Sequence, residues 1–311
     1  MHTIYTNANV NDNLRRSRLY AGQLYVYAPT EGSKKLGALA RRMIEEAFYP
    51  RDPRTAQFFM PVEEYVSIVA PLKPKFIHHP ETRGILREIA AEMACDLDQT
   101  YLDVPRLRMV THGGYLTAGV GFAHPAHRDT WYSAPLCQIN WWLPIYDLES
   151  DQSMAFHPQY WDRTVKNDSD QFNYYRWNSD GRANAAAHIK TDTRKQPRPQ
   201  QPLELQPEVR VVTEPDGMLL FSAAQLHSTV PNTAGFTRYS IDFRTVNLRD
   251  LEEDAGAPNL DSRCTGTSLR DFVRASDFAP MPEELALRYG GETKTPDDVL
   301  VFRPNQEGAR V

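Results

Sequence analysis

Residues 136–145 read Leu-Cys-Gln-Ile-Asn-Trp-Trp-Leu-Pro-Ile, and their alternation sets the fold class. On an extended chain Cys137, Ile139, Trp141, Leu143 and Ile145 fall on one side, and Gln138, Asn140 and Trp142 on the other. Further along, Arg238 to Val246 (RYSIDFRTV) alternates in the same way, with Tyr239, Ile241 and Phe243 on its apolar side. Met218 to Phe221 follows a Pro-Asp-Gly turn at 215–217, and Leu107 to Val110 is a further short strand.

Upstream of about residue 105 the period changes. Leu36 to Phe48 places Leu36, Leu39, Ala40, Met43 and Ala47 on one helical face. Pro80 to Leu97 reads as a second helix, with Pro in its first turn and Leu86, Ile89, Met93 and Leu97 at helical spacing. Helices followed by a run of strands predict a mostly β fold with flanking helices. The expected division of this single domain is a helical N-terminal flank (1–104), a β core (105–247) and a C-terminal wrap (248–311). Residues 160–207 are polar, with a Gln/Pro/Lys/Arg-rich piece from Lys195 to Pro202, and read as an insertion that could cover a site, with a surface excursion as the alternative. Phe172, Tyr174, Tyr175 and Trp177 within it are candidates for a substrate lid or for self-packing.

The composition narrows the function. The 311 residues are 41% hydrophobic and 24% charged, values of a globular chain with a sizeable core. A net charge of −5 gives no electrostatic footprint for nucleic acid or an anionic membrane. No apolar run approaches the roughly 20 residues of a membrane span, and the opening residues lack signal-peptide character. Three dispersed cysteines, Cys95, Cys137 and Cys264, argue against a disulfide framework. A cytoplasmic protein is the expectation.

Of nine histidines, one opens a His-x-Asp triplet, His127-Arg128-Asp129. Side chains at i and i+2 of an extended segment share a side. An imidazole and a carboxylate there can bind one metal, and a distant histidine completes a two-His-one-carboxylate facial triad. His227 is the candidate, in Leu-His-Ser-Thr-Val-Pro-Asn just after the strand at 218–221. Eleven residues beyond it stands Arg238, and Ser240 shares its strand face. A guanidinium facing a pocket suits a carboxylate, which a hydroxyl two residues on can also bond.

His127-x-Asp129 followed by His227-x10-Arg238-x-Ser240 resembles the iron(II)/2-oxoglutarate-dependent oxygenases, most closely the phytanoyl-CoA-dioxygenase-like group. Gln138-Ile-Asn-Trp-Trp-Leu-Pro-Ile, Asp216-Gly-Met-Leu-Leu-Phe and His227-Ser-Thr-Val-Pro-Asn carry the same likeness, which spans about residues 105–247. The resemblance implies a double-stranded β-helix, a cupin-like jelly roll. It implies His127, Asp129 and His227 as iron ligands, Arg238 and Ser240 as the grip on 2-oxoglutarate, and Gln138, Asn140 and Trp142 as pocket lining. It implies a dioxygenase that oxidises a small-molecule metabolite with Fe(II), 2-oxoglutarate and O2, releasing succinate and CO2. Asp129 argues against halogenation, since related halogenases lack that carboxylate. One stretch departs from the family pattern: Ser153-Met-Ala-Phe-His157-Pro stands where a Pro-Gly-Ser-His-type segment is usual.

Other readings stay open. The metal could serve a cupin-like enzyme that does not use 2-oxoglutarate, or the same chemistry could act on protein. His127-Arg-Asp spells a kinase triplet, but Thr-Trp-Tyr-Ser follows it and no Gly-rich loop precedes it. His79-Pro-Glu81 is a second His-x-carboxylate pair, better explained by a helix start. Arg238 could instead pair with Asp242, and Arg244 could take the cosubstrate. His112, His124, His157 and His188 read as surface or core residues, with His124 and His157 also candidates for supporting roles.

Overall fold

The computed structural model describes residues 2–181 and 185–290. Among them run strands β1 (Ile4–Thr6), β2 (Leu24–Tyr27), β3 (Thr100–Leu102), β4 (Arg106–Val110), β5 (Ile139–Pro144) and β6 (Met154–Phe156). They are followed by β7 (Val209–Val211), β8 (Met218–Ser222), β9 (His227–Thr229), β10 (Arg238–Asn247) and β11 (Val273–Arg274). The larger sheet has the order β1-β2-β8-β5-β10-β3-β11, with β4 also paired to β10. A smaller sheet has the order β7-β6-β9. β10 is the organising strand. Residues 240–245 pair antiparallel with β5 on one side, while 238–242 pair with β4 and 245–247 with β3 on the other.

The alternation of β5 and β10 divides the interior. Tyr239, Ile241 and Phe243 join Ile139, Trp141 and Leu143 in a core shared with the helices. Trp141 stacks on Phe243 with centroids 5.3 Å apart, a pairing worth about 0.5–1.5 kcal/mol beyond area burial. The other sheet face sends Trp142, Leu219 and Phe221 toward Met154 and Phe156 of the small sheet. Between the two sheets lies the cavity that holds the site.

Helices α1 (Asp12–Tyr20), α2 (Glu31–Phe48), α3 (Val62–Ile77) and α4 (Thr82–Glu92) flank the outer face of the large sheet. α2 begins at a capping box between Thr30 and Ser33, which satisfies two otherwise orphaned N–H groups. Arg41 of α2 forks onto Asp216 at 2.7 and 2.8 Å, tying the helix to the turn before β8. α3 carries Pro71 and Pro74 internally, yet Tyr65, Val66, Val69, Leu72 and Phe76 keep one buried helical face. Each proline forgoes a backbone bond, and packing of that face outweighs the loss.

Several expectations need correction. The N-terminal hundred residues are not only helical: β1, β2 and β3 belong to the large sheet. The helix expected over 80–97 covers Thr82–Glu92. It stops because Ala94 turns left-handed (φ 54°) and Cys95 N closes on the Ala90 carbonyl at 2.9 Å, leaving Leu97 outside. α1 and α3 were not anticipated, the first because it is polar and the second because its prolines read as breakers. β2, for its part, extends the sheet beyond β8. After β10 comes the short helix Leu248–Glu252, and further on β11 pairs with β3. Residues 291–311 of the expected C-terminal wrap lie outside the described residues.

Candidate metal centre and its pocket

β9 and the segment before residue 129 meet at one rung. His127 N donates to the His227 carbonyl at 2.9 Å, and His227 N donates to the His127 carbonyl at 3.0 Å. This pairing holds the two imidazoles with centroids 4.3 Å apart. Asp129 lies two residues on, so its carboxylate turns to the same side. His127 Nε2 is 3.3 Å and His227 Nε2 3.9 Å from Asp129 Oδ1. The three ligand atoms lie within 4.8 Å of one another, and no other group of three metal-binding side chains occurs among the described residues.

The hydrogen bonds behind the triad set which ring nitrogen faces the site. His127 Nδ1 faces the Pro125 carbonyl at 2.8 Å, and His227 Nδ1 faces the Gln225 carbonyl at 3.0 Å. A carbonyl only accepts, so each Nδ1 carries a proton, and each Nε2 turns toward Asp129, donating to it when the ring is protonated and presenting a lone pair when it is neutral. Burial, then the neighbouring His127, pushes the His227 imidazole down to about 4, against the opposing pull of Asp129. Burial would raise the Asp129 carboxyl, but the His127 bond and the charges of His227, His127 and Arg244 hold it well below the usual range. Lone pairs converging on an anion repel unless a cation sits between them. The donor set of two imidazoles and one carboxylate therefore fits a divalent transition metal.

Asp129 is itself held. Asn140 Nδ2 donates to Asp129 Oδ2 at 2.7 Å, and Gln138 Nε2 donates to Asn140 Oδ1 at 2.9 Å. Both donors come from the polar face of β5. Arg128, between the two ligands, points the other way and is 2% exposed. Its guanidinium donates to Asp261 and to the carbonyls of Ala224, Tyr160 and Arg163. Asp261 also accepts from Trp131 Nε1 at 2.7 Å and from Val165 N at 2.9 Å. The segment at 257–265 thus braces the ligand turn from behind.

The cavity in front of the triad has a volume of about 460 Å³. Gln138, Asn140, Trp142 and Arg238 line it together with the triad. Arg238 is 7% exposed and has no carboxylate partner among the described residues. Its Nη1 donates to the Gln152 carbonyl at 2.9 Å, and its Nε is buried without a partner. Its guanidinium stands 5.7 Å from the Trp142 ring centre. Ser240 is fully buried beside it, its Oγ also without a partner, and does not line the cavity. The alternative pairing of Arg238 with Asp242 is not formed. Asp242 receives Arg108 at 2.6 Å and lies 3.6 Å from Arg244, which also reaches Asp103 at 3.3 Å. Arg244 is therefore neutralised, whereas Arg238 is not.

The insertion contributes Phe172, Tyr174, Trp177, Arg194 and Gln196 to the cavity wall. Tyr175 is buried in a cluster with Phe172 and Tyr174, so this stretch both covers the cavity and packs on itself. Arg182 lies outside the described residues. His79 and Glu81 sit away from the cavity, 3.9 Å apart at the start of α4, with Glu81 exposed. His157 is buried between the Leu205 carbonyl and Ser228 Oγ, behind the metal-side strand. His124 does line the cavity, its ring centre 5.0 Å from that of His127. Lys73, Arg108, Tyr132 and Gln196 were missed by sequence reasoning. Arg108 had a legible signal, since period 2 on β4 sets it opposite β10; Lys73, between two prolines of a helix, had none.

No family model matches the chain, and no curated protein matches it. Solved structures do, at low identity. EvdO2 from Micromonospora carbonacea var. aurantiaca complexed with 2-oxoglutarate shares 12% identity, with a TM-score of 0.43 over 77% of this chain and 92% of that one. The non-haem monooxygenase ThoJ shares 13% over 88% and 92% of the two chains, TM-score 0.41. SnoN, a non-haem α-ketoglutarate-dependent epimerase from nogalamycin biosynthesis, shares 12% over 76% and 84%, TM-score 0.36. At these scores the chemistry rests on the site itself. Among the described residues no helix is long and apolar enough to cross a membrane.

Proposed function

We propose that this protein is an iron(II)- and 2-oxoglutarate-dependent oxygenase acting on a small molecule. The observation that carries the reading is the pairing of two unmet needs in one buried site. A His-Asp-His set wants a cation, and Arg238, with Ser240 beside it, wants an anion. An uncompensated buried guanidinium is costly, and a dicarboxylate that chelates a metal at one end meets both needs. A cupin-like enzyme without 2-oxoglutarate gives no reason for that anion site.

The strand order supports a jelly roll. β4, β10, β5 and β8 lie together in one sheet, and the rung at His127 with β9, β6 and β7 makes up the other. In this reading His127, Asp129 and His227 hold iron on one face. Arg238 takes the distal carboxylate of 2-oxoglutarate, with Ser240 set back from the cavity on the same strand face. Gln138 and Asn140 orient Asp129, and Trp142 flanks the guanidinium. With iron(II) and 2-oxoglutarate bound, the centre supplies O2-dependent oxidation, turning a substrate C–H into C–OH while 2-oxoglutarate becomes succinate and CO2. Tyr132 and Phe172, packed edge-on at 5.3 Å beside His127, exclude water from the reacting side. The wall of Phe172, Tyr174 and Trp177 supports a small molecule over a protein substrate.

The test is anaerobic addition of iron(II) and then 2-oxoglutarate, with visible absorption as the readout. A weak charge-transfer band is expected in the wild type. It is lost in His227→Ala and needs far more 2-oxoglutarate in Arg238→Ala. Iron binding without a band at saturating 2-oxoglutarate sinks the cosubstrate reading.

A further inference from the structure

The cavity wall carries more positive charge than the proposed cosubstrate uses. Six cations line it: Lys73, Arg106, Arg108, Arg194, Arg238 and Arg244. Four carboxylates answer them. Asp103 serves Arg106 and Arg244, Asp242 serves Arg108, Asp192 serves Arg194, and Asp129 faces the metal position. A divalent ion and a dianionic cosubstrate cancel each other, so this ledger rests on the function proposed above. With Lys73 protonated two positive charges are left over, and low-dielectric walls make such a surplus expensive unless an anion enters or Lys73 sheds its proton.

With Arg238 assigned to the cosubstrate, Lys73 is the remaining lining cation without a carboxylate among the described residues. Among the described residues its Nζ has one hydrogen bond, to the Val120 carbonyl, and no ion pair. Burial, then the charges of Arg108 and Arg194, pushes its ammonium down to about 7, with only Asp242 opposing. A second unmet donor lies on the same wall: Gln196 Nε2 is buried without a partner, on a residue 7% exposed.

The rings give the remaining dimension. Tyr132 stands 5.5 Å from the His127 ring, Phe172 5.3 Å from Tyr132 and Trp177 6.1 Å from Phe172. Arg194 then covers Trp177 at 5.1 Å. An aromatic series thus runs from the metal ligands to a cationic end, and Arg194 there is among the charges that act on Lys73.

We propose that the substrate is a carboxylate with an aromatic or other flat apolar body, its anionic end held by Lys73 and its body lying along Tyr132, Phe172 and Trp177. The oxidised carbon is then at the end of the molecule remote from its carboxylate. Gln196 supplies a further neutral donor within the same cavity.

The test uses a matched pair of probes, N-acetyl-L-phenylalanine and N-acetyl-L-phenylalaninamide, which differ chiefly in charge. Their binding to the iron(II)- and 2-oxoglutarate-loaded protein is measured anaerobically by calorimetry at pH 6.5. The acid is expected to bind at least tenfold more tightly than the amide. Lys73→Met removes that preference, and Lys73→Arg restores most of it. Each variant is first titrated with 2-oxoglutarate, so a failure of cosubstrate loading is read separately from a failure of the Lys73 subsite. Equal binding of the two probes, binding of neither, or a preference that survives Lys73→Met overturns the proposal. So does a preference lost in Arg238→Met but kept in Lys73→Met, which puts the carboxylate in the cosubstrate grip instead.

Discussion

Asn140 illustrates how a single side chain governs a metal site it does not touch. Its amide is the middle of the Gln138–Asn140–Asp129 relay, and the relay fixes which carboxylate oxygen faces the histidines. Replacing Asn140 with Leu leaves Asp129 free to rotate. Iron(II) affinity is expected to fall roughly 10- to 100-fold, the usual cost of losing such a partner, with near-native thermal unfolding. A metal titration against the wild type measures it; unchanged affinity shows that Asp129 is held by other means. At this scale the sequence was informative where chemistry repeats at fixed offsets. His127, Asp129, His227 and Arg238 could be picked from the spacing, and period 2 put Gln138, Asn140 and Trp142 on one face. Lys73 and Gln196 could not, because each reaches the cavity through tertiary placement rather than through any local pattern.

At the scale of elements, alternation proved a better guide than propensity. β5 and β10 announce both faces, since one is apolar at every second position. α3 does not announce itself, because Pro71 and Pro74 mask a helical stripe that only the sheet beneath makes worthwhile. β1 and β2 are too short to show a period, and their place is set by β8. The junction of α2 with the turn before β8 offers a sharp test. A Cβ at Gly37 would lie 1.8 Å from Asp216 Oδ1, so Gly37→Ala forces apart the Arg41–Asp216 fork. A loss of about 1–3 kcal/mol is expected from overpacking, read by denaturant unfolding. Retention of full stability shows that the helix can slide on the sheet.

For the whole molecule, the charged layer between the sheets decides behaviour in acid. Burial alone would raise the Asp242 carboxyl, but Arg108 and Arg244 outweigh it and hold it at about 2, below its ordinary 3.8. A carboxylate depressed on folding stabilises the native state above its unfolded value and loses that contribution as pH falls through the folded one. Asp242 should therefore contribute roughly 2 kcal/mol at neutral pH, lost between about pH 4 and pH 2. Comparing wild type with Asp242→Asn across that range checks it, since the difference in stability must shrink as acid is added. The chain's far segment matters as much. Asp261→Ala strips from buried Arg128 its only acid among the described residues and is expected to cost about 3–5 kcal/mol, measured by chemical unfolding of the metal-free protein. That brace also has a bearing on biosynthesis. A growing chain that has already released both histidines from the ribosome still lacks Asp261, which stands 133 positions after the arginine it anchors. The ligand turn cannot be locked until that stretch emerges, so iron captured earlier by a nascent chain meets a loose site, and secure loading waits for the residues around Asp261.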